Sequence, residues 1–200
     1  MENQLHSAIE HRGKIFALKV YGYATRGIPG VEIVGLGNEG RTLKEKIIFL
    51  IKSKRLGISR KRIIISVDFN ERPIGKLSAS ELEIPIFILF LSLNGNLKLK
   101  NLSDCFCAGT LKIPFGLDEN FYNDNLKRFL MKIGQDKDRP SKIICPEGFK
   151  TPNDYYSIYF NELFASVNKV ENRSKLNTSI SSDILKSIGS SIHEDHLKSS

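Results

Sequence analysis

A strand, a helix and a second strand follow one another between Val31 and Phe69, and this alternation constrains the fold more than any other feature of the chain. Val31 to Leu36 is a short apolar run opened by the turn Gly27-Ile28-Pro29-Gly30. There Pro29 is preset for the second turn position and Gly30 is free to take positive φ. Thr42, with Glu45 three residues on, reads as a capping box for a helix that continues to about Leu56 and is ended by Gly57. Leu43, Ile47, Leu50 and Ile51 share one face of that helix. Lys61 to Phe69 contains Ile63-Ile64-Ile65-Ser66-Val67, a β-branched run continuous enough to be buried on both faces. Such an order requires a helix packed on a sheet, an α/β or α+β arrangement.

The remaining segments fit that frame. Lys14 to Tyr23 reads as a strand closed by Gly22, and residues 1–13 stand before it as an N-terminal extension. Asn70 to Ser80 is a polar loop. Glu81 to Leu93 has no clean period; Pro85 fits the first turn of a helix, where its missing donor costs nothing. Asp104 to Lys112 is expected as a strand, Glu119 to Gly134 as an amphipathic helix, and Lys142 to Cys145 as a short buried strand. Asn153 or Asp154 is expected to cap a last core helix with Tyr156, Tyr159, Phe160, Leu163, Phe164 and Val167 inward. From Glu171 the composition turns to Ser, Asn and Lys. Residues 171–200 therefore read as a flexible tail, with a short helix from Asp183 to about Leu197 as the alternative. The folded domain is thus placed at 14–170.

Composition narrows the class. The N-terminus has no apolar core of a secretory signal, and the most apolar run, Ile84 to Leu93, falls far short of the roughly 20 residues that span a bilayer. Three cysteines, Cys105, Cys107 and Cys145, are an odd number at no framework spacing and suit reduced, buried thiols in a cytoplasmic protein. His6 with His11, and His193 with His196, lack the partners of a metal site. The net charge of +8 raises the expectation of a polyanionic partner.

Two features of the central unit carry candidate chemistry. Gly35-Leu36-Gly37-Asn38-Glu39-Gly40 has the spacing of a dinucleotide fingerprint between a strand and a helix, which makes Gly35, Gly37 and Gly40 weak cofactor-binding candidates. The acidic ribose partner about twenty residues on is missing, since Ser59, Arg60 and Lys61 stand there, and no phosphate-binding GxxxxGK[ST] loop occurs. The second feature is charge. Between Arg41 and Arg62 nine Lys or Arg face one acid, Glu45. Arg41, Lys44, Lys52 and Arg55 form a helix stripe interrupted by Ile48, and Arg60, Lys61 and Arg62 follow in a turn. These seven are the nucleic-acid-binding candidates, whose contacts would be with phosphate and salt-sensitive.

Gly27-Ile-Pro-Gly-Val-Glu-Ile-Val-Gly-Leu36, then Arg62-Ile-Ile-Ile-Ser-Val67, Glu83-Ile-Pro-Ile86 and Ala108-Gly-Thr-Leu-Lys112 resemble the N-terminal domain of the ComM/YifB family of magnesium-chelatase-like AAA+ proteins. The resemblance covers Lys14 to Val170. It implies a two-layer sandwich similar to the proteolytic domain of Lon, here without the ATPase module. It also implies a link to DNA recombination and transformation. The Ser–Lys dyad of Lon is not matched: the nucleophile position falls near Glu83, the lysine position near Asp118, and Ser78 and Ser80 have no base assigned.

The resulting expectation is a non-enzymatic, cofactor-free, nucleic-acid-associated or assembly module, acting on DNA or with a DNA-processing ATPase. Two alternatives stand beside it: a structural or self-associating subunit that docks a separate ATPase, and a nucleotide-binding protein acting through Gly35 to Gly40.

Overall fold

In the computed structural model the described residues are 2–69, 73, 78–97, 101–112, 116–117, 119–133, 139–152, 154–160 and 162–163. The serine-rich segment and its alternative helix, the Asp118 position and the inward placement of Phe164 and Val167 lie outside them.

The chain opens with a hairpin. Strand β1, Glu2–His11, pairs antiparallel with β2, Lys14–Thr25, from Glu2↔Tyr23 to His11↔Lys14. Arg12 and Gly13 make the two-residue connection, both at positive φ (51° and 74°), which is the geometry that matches the twist of the flanking strands. The segment that reads from sequence as an extension therefore supplies a full strand. Its apolar pattern is weak because its inward positions, Leu5, Ser7 and Ile9, are broken by a serine.

The central unit follows: β3, Gly30–Val34; α1, Asn38–Ser53; and β4, Arg62–Phe69, with β3 and β4 parallel. The helix begins four residues before the expected cap. Gly37 is its N-cap, and Thr42 lies inside the helix with its Oγ1 donating to the Asn38 carbonyl at 3.4 Å. After a 3-10 turn at Ser80–Leu82 comes α2, Glu83–Asn94, with Pro85 in its first turn; every residue from Ile84 to Leu93 is buried.

Two short strands, β5 (Cys105–Phe106) and β6 (Leu111–Lys112), replace the single strand expected at 104–112, and β7 (Gly116–Leu117) follows them. Helix α3, Glu119–Ile133, and β8, Lys142–Cys145, lie where the sequence puts them. Tyr156 and Tyr159, expected in the last core helix, lie instead in β9, Tyr156–Tyr159, which pairs in parallel with β8 from Lys142↔Tyr156 to Cys145↔Tyr159, while Phe160 and Leu163 are helical and buried as expected. Tyr-Ser-Ile-Tyr is a strand composition, and the edge of β8 supplies a partner that apolar spacing alone does not reveal.

The architecture is α+β. A mixed seven-stranded sheet runs β3-β4-β2-β1-β5-β8-β9, and β6 and β7 form a separate ribbon. Leu5, Ile9, Leu18, Val20, Val31, Ile63, Ile65 and Val67 share one face and are buried. Helix α2 packs over β1, β2 and β4 on that side, and α1 over β3 through Leu43, Ile47, Leu50 and Ile51. At Gly22 an added Cβ would lie 2.9 Å from Leu93 Cδ1 and 2.7 Å from the Ile64 carbonyl, so the close seating of α2 needs glycine there. Asn3 of β1 also donates to the buried Ser92 of α2 at 3.1 Å. Helix α3 meets the hairpin end, where Arg128 binds Glu10 at 3.2 Å.

Candidate functional site: a basic end of the sheet

Topology brings sequence-distant cations together. Arg62, the first residue of β4, is flanked by Thr25 at the end of β2 and by Gly30 at the start of β3. The connection Arg26-Gly27-Ile28-Pro29 must therefore arch over the start of β4, crossing two strand spacings of about 4.8 Å each. Gly30 N donates to the Lys61 carbonyl at 3.3 Å, and a Cβ at Gly27 would touch Arg62 Cβ at 3.7 Å, so the arch rests on the turn that precedes β4. Because α1 runs back from the far end of β3 to reach β4, its C-terminal turn lies at this same end.

The structure thus gathers Lys52, Arg55, Arg60, Lys61 and Arg62, and adds Arg26, which lies outside the sequence-derived set. No periodic signal marks Arg26; only the β2–β4 pairing puts it beside Arg62. Arg41 and Lys44 sit farther off, in the first half of α1, with Arg41 roughly 16 Å along the helix from Lys52. Arg26, Arg41, Lys52, Arg55, Arg60 and Lys61 are exposed and Lys44 is half-buried. Among the described residues no ion pair engages any of these seven.

Arg62 differs. Its guanidinium grips Glu32 of β3 in a fork, with Nη2 at 2.8 and 2.9 Å from the two carboxylate oxygens and Nε at 3.1 Å from Oε1. The hydrogen bond and the charge of Glu32 push its pKa up, so Arg62 stays cationic but spends its donors locally.

The turn carrying Arg60 and Lys61 is latched to the end of α2. Asn94 Nδ2 donates to the Gly57 carbonyl at 2.7 Å, and Asn94 Oδ1 accepts from Ser59 N at 2.7 Å. Two exposed aliphatics sit among these cations: Ile28 at the top of the arch, 87% exposed, and Ile58 at 42%.

The glycines of the fingerprint have local structural reasons. Gly35 sits at φ 98°, and a Cβ there would lie 2.7 Å from the Val67 carbonyl; Gly37 takes φ 57° as the helix cap; Gly40 lies against the Ile33 carbonyl, 3.1 Å from where a Cβ would be.

The polar cluster at the start of α2 is also defined. Glu83 Oε2 accepts from Lys46 Nζ of α1 at 2.5 Å and from Leu111 N at 2.8 Å. Ser80 Oγ lies 3.0 Å from Ser78 Oγ and donates to Glu81 Oε2 at 3.0 Å, so Ser80 has a carboxylate partner that the sequence did not reveal. Burial pushes the Glu81 pKa up.

A cleft of about 470 Å³ opens on the other face of the sheet, lined by Glu2, Gln4, Tyr21, Tyr23, Asn101 and Ser103 among others. Among the described residues its lining contains no lysine or arginine. No protein-family model matches the chain, and a search of curated proteins finds no significant match. No helix among the described residues is long and apolar enough to cross a membrane.

Proposed function

We propose that the chain is a non-enzymatic nucleic-acid-binding module that holds phosphates at the basic end of its sheet, and that it is a counterpart of the Lon-like N-terminal domain of ComM/YifB proteins, acting in DNA recombination or transformation. The observation that carries this reading is the convergence of Arg26, Lys52, Arg55, Arg60 and Lys61 from three separate segments with no ion pair to any of them among the described residues. Charges left unneutralised and mounted on a latched turn attract phosphate without base selectivity. Arg41 and Lys44 extend the track along α1, and Arg62 backs it through its fork with Glu32.

Anisotropy titration of a labelled duplex at several salt concentrations tests the proposal. With four or five phosphates engaged, the logarithm of affinity should fall against the logarithm of salt with a slope of about −4. Exchanging Lys52, Arg55 and Arg60 for glutamate should remove binding. Undiminished binding by that triple variant would sink the assignment to this surface.

A further inference from the structure

Ile28 is the least explained side chain in the fold. An isoleucine 87% exposed contributes almost nothing to the core, yet it stands at the top of a tightly built arch. Arg26 precedes it, and Arg60 and Lys61 lie in the turn beneath, one of them bonded through its carbonyl to Gly30. Pro29 fixes its own φ, and the Gly30 amide, bonded to the Lys61 carbonyl, pins the chain directly after it, which stiffens the apex. An apolar point of one or two residues on a rigid loop, with cations on both sides, has the form of a wedge.

Resting on the nucleic-acid reading above, we propose that the ligand is duplex DNA kinked at a single base step, with Ile28, backed by Pro29, inserted between the bases from the minor groove while Arg26, Arg60 and Lys61 hold the flanking phosphates. Isoleucine and proline are among the side chains that open a base step in this way, and insertion bends the duplex toward the major groove. The size of the apex separates this occupant from a bilayer. A membrane anchor needs far more apolar surface than one isoleucine to hold, whereas a lone aliphatic side chain is enough to wedge a base step open. Opening a step costs stacking energy, so DNA in which a step is already weakened is the preferred form: a mismatch, or a flexible pyrimidine–purine step.

The experiment uses the full chain and two short end-labelled duplexes, one perfect and one with a central mismatch, read by anisotropy for affinity and by end-to-end energy transfer for bending. The mismatched duplex should bind about tenfold more tightly, and energy transfer should rise on binding. Ile28→Ser, at an 87% exposed position, should keep its melting temperature and its salt slope. It should lose both the mismatch preference and the bend. Equal affinity for the two duplexes with no bend, or an Ile28→Ser variant indistinguishable from the parent, overturns the wedge while leaving the basic surface standing. Absence of salt-sensitive binding to either duplex removes the parent reading itself. Ile28-dependent pelleting with anionic phospholipid vesicles, without DNA bending, would assign the apex to a lipid surface and overturn the proposal.

Discussion

Arg55 shows how a single residue serves two demands that pull apart. Helices α1 and α2 end alike: Leu56 N reaches back to the Ile51 carbonyl at 3.0 Å and Arg55 N to Lys52 at 3.0 Å, while Asn96 N reaches Leu91 at 2.8 Å and Gly95 N reaches Ser92 at 3.2 Å. Each is the paired closure that requires a left-handed residue just past the helix. In α2 that residue is Gly95, at φ 86°; in α1 it is Arg55, at φ 54°. A side chain in this region costs roughly 1–2 kcal/mol. Sequence alone puts the stop at Gly57, the nearest glycine, because nothing in the residue type of Arg55 announces a left-handed conformation. Arg55→Gly should raise the melting temperature by about 2–4 °C, on the order of 1 kcal/mol in a domain of this size, while weakening nucleic-acid binding. A variant that loses both stability and affinity would show that Arg55 is held by contacts rather than tolerated for its charge.

At the scale of elements, the inner face of α1 was legible because Leu43, Ile47, Leu50 and Ile51 recur at helical spacing and all four are buried. Its start was not, because Gly37 caps through the backbone conformation and leaves no side-chain signature. Strand β9 was hidden for a related reason: it pairs with β8 in parallel, so no hairpin turn joins the two, and tyrosine spacing does not report pairing. The tie between α1 and α2 was equally concealed. Lys46 and Glu83 are 37 residues apart, and the carboxylate also receives the Leu111 amide, so Glu83 joins three segments at once. Removing it leaves an amide and an ammonium short of a partner in a partly buried place. Glu83→Ala should therefore cost about 1–3 kcal/mol in urea unfolding. Glu83→Gln, which keeps an acceptor for Leu111 N, should cost less, and Lys46→Met less again. Equal losses for the alanine and glutamine variants would mean that the charge pair alone matters and the amide contact does not.

Over the whole molecule, the candidate surface is a product of topology. Arg26 and Arg60 are 34 positions apart and come to the same end of the sheet only because β2 and β3 flank the start of β4. The sequence showed the charge density but not its convergence, since convergence depends on strand order. The interior offers a complementary test of the same sheet. Cys105 on β5 and Cys145 on β8 are buried, and burial pushes both thiols up to about 11. Lys142 pulls Cys105 down a little and the Ser157 hydrogen bond does the same for Cys145, without reversing the direction. An unfolded thiol ionises near 8.5, so between that value and about 11 the unfolded chain holds fewer protons than the folded one, and stability must fall as pH rises. Below that window the contribution is complete. Denaturant midpoints measured from neutral pH upward should decline across it, and the folded protein should resist a thiol reagent at pH 8 until denaturant is added. Replacing Cys105 and Cys145 together by alanine should flatten the alkaline decline. If the double variant declines as steeply as the parent, the loss arises from the lysine and tyrosine surface and not from the buried thiols of β5 and β8.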